Sequence, residues 1–135
     1  MKTIVNTDYK YSDLTGKIIG CAIEVHNIIG PGFQEKIYQR ALAIEMSLQG
    51  LSFVEQFSHT VFYKGEIAGG RRSDYIVEGV ISVEIKALSQ TDDADLNQAI
   101  NYLEAYRLEI GLLINFGSRR LQVKRVINSK ARNNQ

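Results

Sequence analysis

The chain has one cysteine, no long apolar run and almost no net charge, and each shortage excludes a class of protein. The single Cys21 cannot form an internal disulfide. It lies near Ile18, Ala22 and Val25 on a predicted helical stripe, which favours a packed thiol over a nucleophile. No run approaches the roughly 18 apolar residues of a membrane span, and the N-terminus lacks the charged-then-apolar pattern of a signal peptide. We therefore expect a cytoplasmic protein.

The net charge of +1 gives no overall attraction for nucleic acid. Any binding to nucleic acid has to come from local basic clusters, and the simplest interpretation of such clusters is a solvated surface. The candidates are Arg71, Arg72, Arg119, Arg120, Lys124 and Arg125. They would contact phosphates if the fold gathers them around one site.

Apolar spacing in a chain of 135 residues, 44% of them hydrophobic, predicts a single domain over residues 1–135. The predicted helices cover residues 12–29, 33–49 and 92–107, and the predicted strands cover residues 53–63, 72–77, 80–86, 111–116 and 121–126. Predicted caps are Ser12 and Asp13 for the first helix, Gly50 for the second and Thr91 to Asp93 for the third. The predicted core stripe of the second helix is Ile37, Ala41, Ile44 and Leu48. The fold class is α/β (α+β), a mixed central β-sheet flanked by helices, with a core of about residues 12–127 and flexible tails, the C-terminal one from Asn128.

Charged residues in an apolar strand are the strongest functional signal. Asp74 precedes the run Val80 to Leu88, which contains Glu84-Ile85-Lys86. A buried charge costs several kcal/mol unless it is paired or bound to a metal. Two carboxylates suit a divalent cation, and an ammonium beside them suits a phosphate or an attacking water. The pattern is typical of a metal-dependent phosphodiesterase.

The turn between the two strands decides whether these side chains meet. A strict two-residue loop at Glu78-Gly79 would set Asp74 opposite Val83, so that Glu84 points to the other face. A three-residue loop, such as Val77 to Gly79 with Gly79 in the left-handed conformation, would place Asp74 on the same face as Glu84 and Lys86. Gly79 permits the second arrangement.

Three further groups of polar residues have both a structural and a functional interpretation. Glu35 and Tyr38 share a face of the second helix, where Glu35 also suits the helix dipole. Gln98 and Tyr102 lie four apart on the third helix; they either bind a phosphate, orient Lys86 or line a solvated flank. His26 either caps the end of the first helix or reaches the site.

The order and spacing of these residues resemble the GxxExxY proteins of the PD-(D/E)xK nuclease superfamily. The matching segments are Val25-His26, Gly30-Pro31-Gly32-Phe33-Gln34-Glu35-Lys36-Ile37-Tyr38, Arg72-Ser73-Asp74, Val83-Glu84-Ile85-Lys86-Ala87, Gln98 to Leu103, and Gly111-Leu112-Leu113-Ile114-Asn115-Phe116-Gly117. They extend over residues 14–127. The resemblance implies a restriction-endonuclease-like core.

The resemblance also implies roles for individual residues. The implied ligands of Mg²⁺, or of Mn²⁺, are Asp74, Glu84 and the Ile85 carbonyl. The implied catalytic residues are Lys86, Glu35, Gln98 and Tyr102, and the implied substrate-binding residues are Tyr38, Arg72 and His26. One departure is that members of the family often carry His three residues before the Gln, where this chain has Asp95.

Two functional hypotheses follow from these features. The first is a Mg²⁺-dependent nuclease that cleaves nucleic acid, expected to be DNA. The alternative is a non-catalytic nuclease-like module that binds nucleic acid or a protein partner through the same groove. Since little of the chain remains outside the core to hold a long duplex, a homo-oligomer or a protein partner is also expected.

Overall fold

The computed structural model describes residues 10–55, 58–72 and 74–129. Three helices, α1 to α3, span Ser12–Ile29, Glu35–Leu48 and Asp93–Tyr106. Seven strands, β1 to β7, span Phe53–Glu55, Ser58–Tyr63, Glu66–Arg72, Tyr75–Val77, Ile81–Lys86, Ile110–Asn115 and Gln122–Ile127. Five of them form a sheet in the order β1-β4-β5-β6-β7, and β2 and β3 form a separate two-stranded sheet.

The centre of the large sheet is the parallel pair β5 and β6, while the other pairs in this sheet are antiparallel. Every residue of β6 is buried, as expected for a parallel strand that is covered on both faces. On one face, Val83 and Ile85 of β5 pack with α1 and α2. On the other face, Leu113 packs with Ala99 and Leu103 of α3. The predicted mixed sheet flanked by helices is confirmed.

The face of α2 that enters the core differs from the predicted one. Its fully buried residues are Tyr38, Leu42 and Met46. Of the predicted core stripe Ile37, Ala41, Ile44 and Leu48, only Ala41 packs against the core. The prediction was wrong because α2 has two apolar faces at helical spacing, and tertiary packing selects the one that carries Tyr38, whose ring stacks on Phe116 at 4.9 Å.

The ends of the helices agree with the predictions to within two residues, but one cap differs. Tyr11, in the left-handed conformation, precedes α1, so Ser12 and Asp13 lie inside the helix and do not cap it. Gly50 follows α2 with φ of 79°, as a C-terminal glycine should. Asp92 caps α3, and Asp95 completes a capping box by accepting a hydrogen bond from the Asp92 N–H at 2.9 Å.

The strand prediction over residues 53–63 was wrong in one respect. The segment forms two strands in different sheets: β1 pairs with β4, whereas β2 turns through Lys64 and Gly65 into β3. The turn between β4 and β5 has three residues, as the second alternative required, but they are Glu78 to Val80, because Val77 pairs with Ile81. Glu78 and Gly79 both have positive φ, 52° and 73°.

Three smaller predictions can be compared with the described residues. Cys21 is 3% exposed, and burial raises the pKa of its thiol, in agreement with a packed, unreactive side chain. Asn128 is not frayed: it is buried, and its Nδ2 donates to the Leu108 carbonyl at 3.2 Å. The predicted tails 1–9 and 130–135 lie outside the described residues. No helix in the described part of the chain is both long and apolar enough to cross a membrane.

Candidate metal-dependent nuclease site

Asp74 lies just before β4, and both of its carboxylate oxygens accept hydrogen bonds. Oδ2 accepts from the backbone N–H of Ile85 at 2.5 Å, and Oδ1 accepts from Nε2 of Gln39 at 2.7 Å. The N–H and C=O of one strand residue point toward the same neighbour, so the Ile85 carbonyl faces the side on which Asp74 lies. Burial raises the pKa of Asp74 to about 6, against the lowering effect of the Ile85 hydrogen bond.

Glu84 is the least expected residue of the sheet. It is 5% exposed, in the middle of the apolar strand β5. Among the described residues its carboxylate has no hydrogen bond and no ion pair. Burial, together with the negative charge of Asp74, raises its pKa to about 8. The β4–β5 register, continued by one residue from Tyr75 and Val83, sets Asp74 opposite Glu84.

Lys86 ends β5, two residues beyond Glu84 and therefore on the same face. Its Nζ donates a hydrogen bond to Oε1 of Gln98 on α3 at 2.9 Å. The positive charge of Lys86 lowers the pKa of both Asp74 and Glu84, which places it close to both carboxylates. Of the interpretations open for Gln98, the structure favours the orientation of Lys86.

The first two turns of α2 bring a second set of side chains to Asp74. Gln39 donates to Oε2 of Glu35 at 3.3 Å as well as to Asp74, and its carbonyl accepts a hydrogen bond from the Tyr75 hydroxyl at 2.5 Å. The charge of Glu35 raises the pKa of both Asp74 and Glu84. Gln39 was missed by sequence reasoning. Its spacing of four from Glu35, on the same helical face, was the available signal.

A groove of about 480 Å³ runs beside this site, along α3. It is lined by Gly70, Ala94, Asn97, Gln98, Asn101 and Tyr102. The amide side chains give it a polar wall that includes the partner of Lys86. Tyr102 itself is 9% exposed, and its ring stacks on Tyr106 with centroids 6.2 Å apart.

Comparison with known proteins identifies the family. Residues 12–126 match the model of the PD-(D/E)XK nuclease superfamily. The chain belongs to this superfamily. No curated protein matches it with significant sequence similarity. Among solved structures, the crystal structure of SSO0001 is similar with a TM-score of 0.48 and 16% identity, over 88% of this chain and 52% of that protein. This chain therefore spans about half the length of that protein.

Two residues predicted to bind substrate lie in the supporting core of this PD-(D/E)XK domain. Tyr38 is fully buried, and its hydroxyl donates to the Gly30 carbonyl at 2.6 Å. Nε2 of His26 lies 3.0 Å from the Ser118 carbonyl, and its ring packs near Phe116. These contacts join the end of α1 to the start of α2 and to the loop after β6. The geometry gives both residues a role in holding that loop, and the contact with substrate predicted for them stays a prediction.

The remaining residues that the sequence suggested for the site lie in different parts of the structure. The side chain of Arg72 lies outside the described residues. Arg125 is tied to the start of α1, where it donates to the Lys10 carbonyl at 2.5 Å, so it does not join a basic cluster around Glu84. Asp95, at the position where relatives often have His, serves the cap of α3, and its charge also raises the pKa of Glu84.

The donor set fits a hard divalent cation of the kind that PD-(D/E)XK nucleases typically use. Within the described residues, no three side chains of His, Cys, Asp or Glu form a ready metal cluster. Mg²⁺ does not need one, because it is usually held by one or two carboxylates and keeps several waters. Glu84 is compatible with this role, since the ionised form of a buried carboxylate is stabilised by a nearby positive charge.

Proposed function

We propose that this protein is a Mg²⁺-dependent nuclease that hydrolyses phosphodiester bonds of nucleic acid, with DNA as the expected substrate. The observation that carries the proposal is the buried carboxylate of Glu84, which has no hydrogen bond to the described residues and lies opposite Asp74 and two residues before Lys86. A purely structural acid in a sheet would be paired. The finer assignment to the GxxExxY group rests on the spacing of Glu35, Tyr38 and the strand residues.

Asp74, Glu84 and the Ile85 carbonyl would hold the cation. When bound, Mg²⁺ or Mn²⁺ would supply charge stabilisation at the phosphate and a lower pKa for a coordinated water. The Ile85 N–H fixes one oxygen of Asp74 and Gln39 fixes the other, each still leaving that oxygen a lone pair for a ligand. The protein thus orients one carboxylate rigidly and leaves Glu84 without a competing partner.

Lys86 would act on the substrate. Its ammonium, oriented by Gln98, is placed to stabilise negative charge that develops on the attacked phosphate, or to hold the attacking water. Glu35 is exposed at the start of α2 and linked to Asp74 through Gln39, so it would serve as a further acid at the edge of the site. Asn97, Gln98 and Asn101 would give a strand of nucleic acid hydrogen-bonding partners along the groove.

The test is a cleavage assay with purified protein on labelled single-stranded DNA, duplex DNA and RNA, in Mg²⁺, in Mn²⁺ and in chelator. We expect metal-dependent cleavage by the wild type. Lys86→Ala should lower the rate by about 10² to 10³, the usual effect of removing one group that stabilises the transition state, and should keep metal binding. Asp74→Asn should lose both.

The control is Lys17→Ala, which removes an exposed lysine of α1, the helix that packs on the face of the sheet opposite Glu84, and should cleave like the wild type. Cleavage by Lys86→Ala at the wild-type rate would contradict the mechanism. The second candidate function is nucleic-acid or protein binding without catalysis, and it is favoured by Asp95, which leaves no histidine cation at that position. Metal-independent binding of DNA with no cleavage in any metal would select it.

A further inference from the structure

One face of α2 is apolar and open to solvent. Ile37, Ile44 and Leu48 remain 46%, 55% and 74% exposed, although Tyr38, Leu42 and Met46 on the core face of the same helix are fully buried. Scattered exposed apolar residues need no explanation, but a continuous row of them on one helix marks a contact surface.

The spacing of this row identifies the kind of contact. Ile37, Ala41, Ile44 and Leu48 are separated by four, three and four residues, which is the spacing of the a and d positions of a heptad repeat. These four residues are called the α2 seam below. An isolated helix of this length would be marginal in water, but α2 is already held by α1 and the sheet, so a partner helix meets a preformed surface.

We propose that the α2 seam pairs with the α2 seam of a second copy of this chain, in parallel orientation. The charged residues beside the seam favour a second copy of this chain as the partner. Arg40 and Glu45 flank the seam on opposite sides at positions g and e, five residues apart, where two parallel helices form salt bridges between copies. A two-fold axis along the seam sets each Arg40 beside the Glu45 of the other copy, so two identical bridges form.

The arrangement leaves the nuclease site open in both copies. Gln39 and Glu35 lie on the side of α2 that faces Asp74, whereas Ile37, Ile44 and Leu48 of the seam are exposed to solvent and Ala41 lies half-buried at its inner edge. A dimer would therefore carry two accessible sites and twice the surface for contact with phosphates. The proposed association does not depend on the nuclease activity, because it uses none of the residues assigned to it.

The experiment is sedimentation equilibrium of the purified full chain over a wide concentration range. We expect a wild-type dimer. Ile44→Glu, which places a charge in the seam, should weaken association at least about tenfold, equivalent to about 1.4 kcal/mol. The matched control is Ile67→Glu, on the β2–β3 hairpin, because Ile67 is also an exposed isoleucine, at 72%. It should associate like the wild type.

A monomeric wild type at its highest soluble concentration would overturn self-association, as would equal weakening by both variants. Thermal melting of each variant confirms that a lost dimer is not a lost fold. Orientation is tested separately: Arg40→Glu should weaken the dimer, and the combined change Arg40→Glu with Glu45→Arg should restore it. A double variant no stronger than the single one would overturn the parallel register.

Discussion

Glu84 and Asn115 are buried polar side chains on neighbouring strands, and the fold treats them in opposite ways. Asn115, next to Lys86 in the register, is fully buried, yet every polar atom of its amide is paired. Oδ1 accepts from the N–H groups of Leu88 and Gly117 at 2.8 and 3.1 Å. Nδ2 donates to the Leu88 carbonyl and to Oε1 of Gln122, both at 2.9 Å. Glu84 has no such bond to a described residue.

The difference is one of hydrogen bonding within the fold, and it supports the role proposed for Glu84. Asn115 fastens the loop after β5 to the end of β6, where the backbone is so close that a Cβ on Gly117 would lie 2.4 Å from the Ala87 carbonyl carbon. Glu84 contributes no such fastening to the described fold. Burial makes the ionised form of Glu84 unfavourable, so a bound cation is the ligand that we propose for it.

The largest effect is expected from Asn115→Leu. The substitution removes all four hydrogen bonds of the Asn115 amide, including those to the backbone groups of Leu88 and Gly117, and we expect a loss of about 3 kcal/mol in the free energy of unfolding, measured by urea denaturation. The control Gln122→Ala removes only one of the four hydrogen bonds and should cost about 1 kcal/mol. If Asn115→Leu were as stable as the wild type, the hydrogen bonds of Asn115 would not stabilise the fold, and Asn115 would not differ from Glu84 in this respect.

Stabilisation by a metal tests the same contrast at Glu84. Mg²⁺ or Mn²⁺ at about a hundred times its dissociation constant should add roughly 2.7 kcal/mol and raise the melting temperature by several degrees. Glu84→Gln should fold normally and lose this shift, whereas Asn115→Leu should melt lower and keep it. No shift in the wild type with either metal would remove the basis for a cation site.

The parts of the site that could be predicted from the sequence are those that local rules decide. The placement of Asp74, Glu84 and Lys86 on one face was one of two alternatives, because strand alternation and the length of one turn decide it, and the register of the turn agrees with that alternative. The contact of Lys86 with Gln98 was among the predicted alternatives. Their roles as metal ligands and catalytic groups remain predictions.

Other features depend on packing that no local pattern encodes. The prediction of the core face of α2 was wrong because the helix has two apolar faces, and the choice between them depends on tertiary contacts such as the ring stack of Tyr38 on Phe116. Gln39 was missed because its partner Asp74 is 35 residues away. The strand over residues 53–63 was predicted as continuous, since nothing in its propensities reveals that the two halves join different sheets.

The pH dependence of stability tests Glu84 in the absence of added metal. Its pKa in the fold is raised from 4.5 to about 8, so the folded protein binds more protons than the unfolded chain, and stability falls as pH rises between these values. Asp74, raised from 3.8 to about 6, acts in the same direction at lower pH. Between pH 6 and pH 8 we therefore expect the wild type to lose about 2 kcal/mol, since each unit is worth about 1.4 kcal/mol.

Glu84→Gln isolates this contribution, because glutamine does not titrate. Its stability should be nearly flat over the same range, as measured by urea denaturation at several pH values in chelator. Saturating Mg²⁺ should also flatten or reverse the slope of the wild type, since a cation favours the ionised form. A wild type whose stability is independent of pH in chelator would mean that Glu84 is not held in an unfavourable environment.

The smallest effect is expected from Gln39, which orients a ligand without being one. Gln39→Leu removes the donor to one oxygen of Asp74 while the Ile85 N–H still holds the other, so we expect metal affinity to fall about tenfold. The lost hydrogen bond also raises the pKa of Asp74, so metal binding should require a higher pH. The chain supplies a matched control in Gln49, which likewise donates to a glutamate four residues earlier, Glu45, at 2.9 Å, but at an exposed position just past the C-terminal end of α2. Calorimetric titration of Mn²⁺ should therefore show weaker binding for Gln39→Leu and unchanged binding for Gln49→Leu. Equal affinities in the two variants would indicate that the Ile85 N–H alone positions Asp74, and that the amide of Gln39 serves only the local structure of α2.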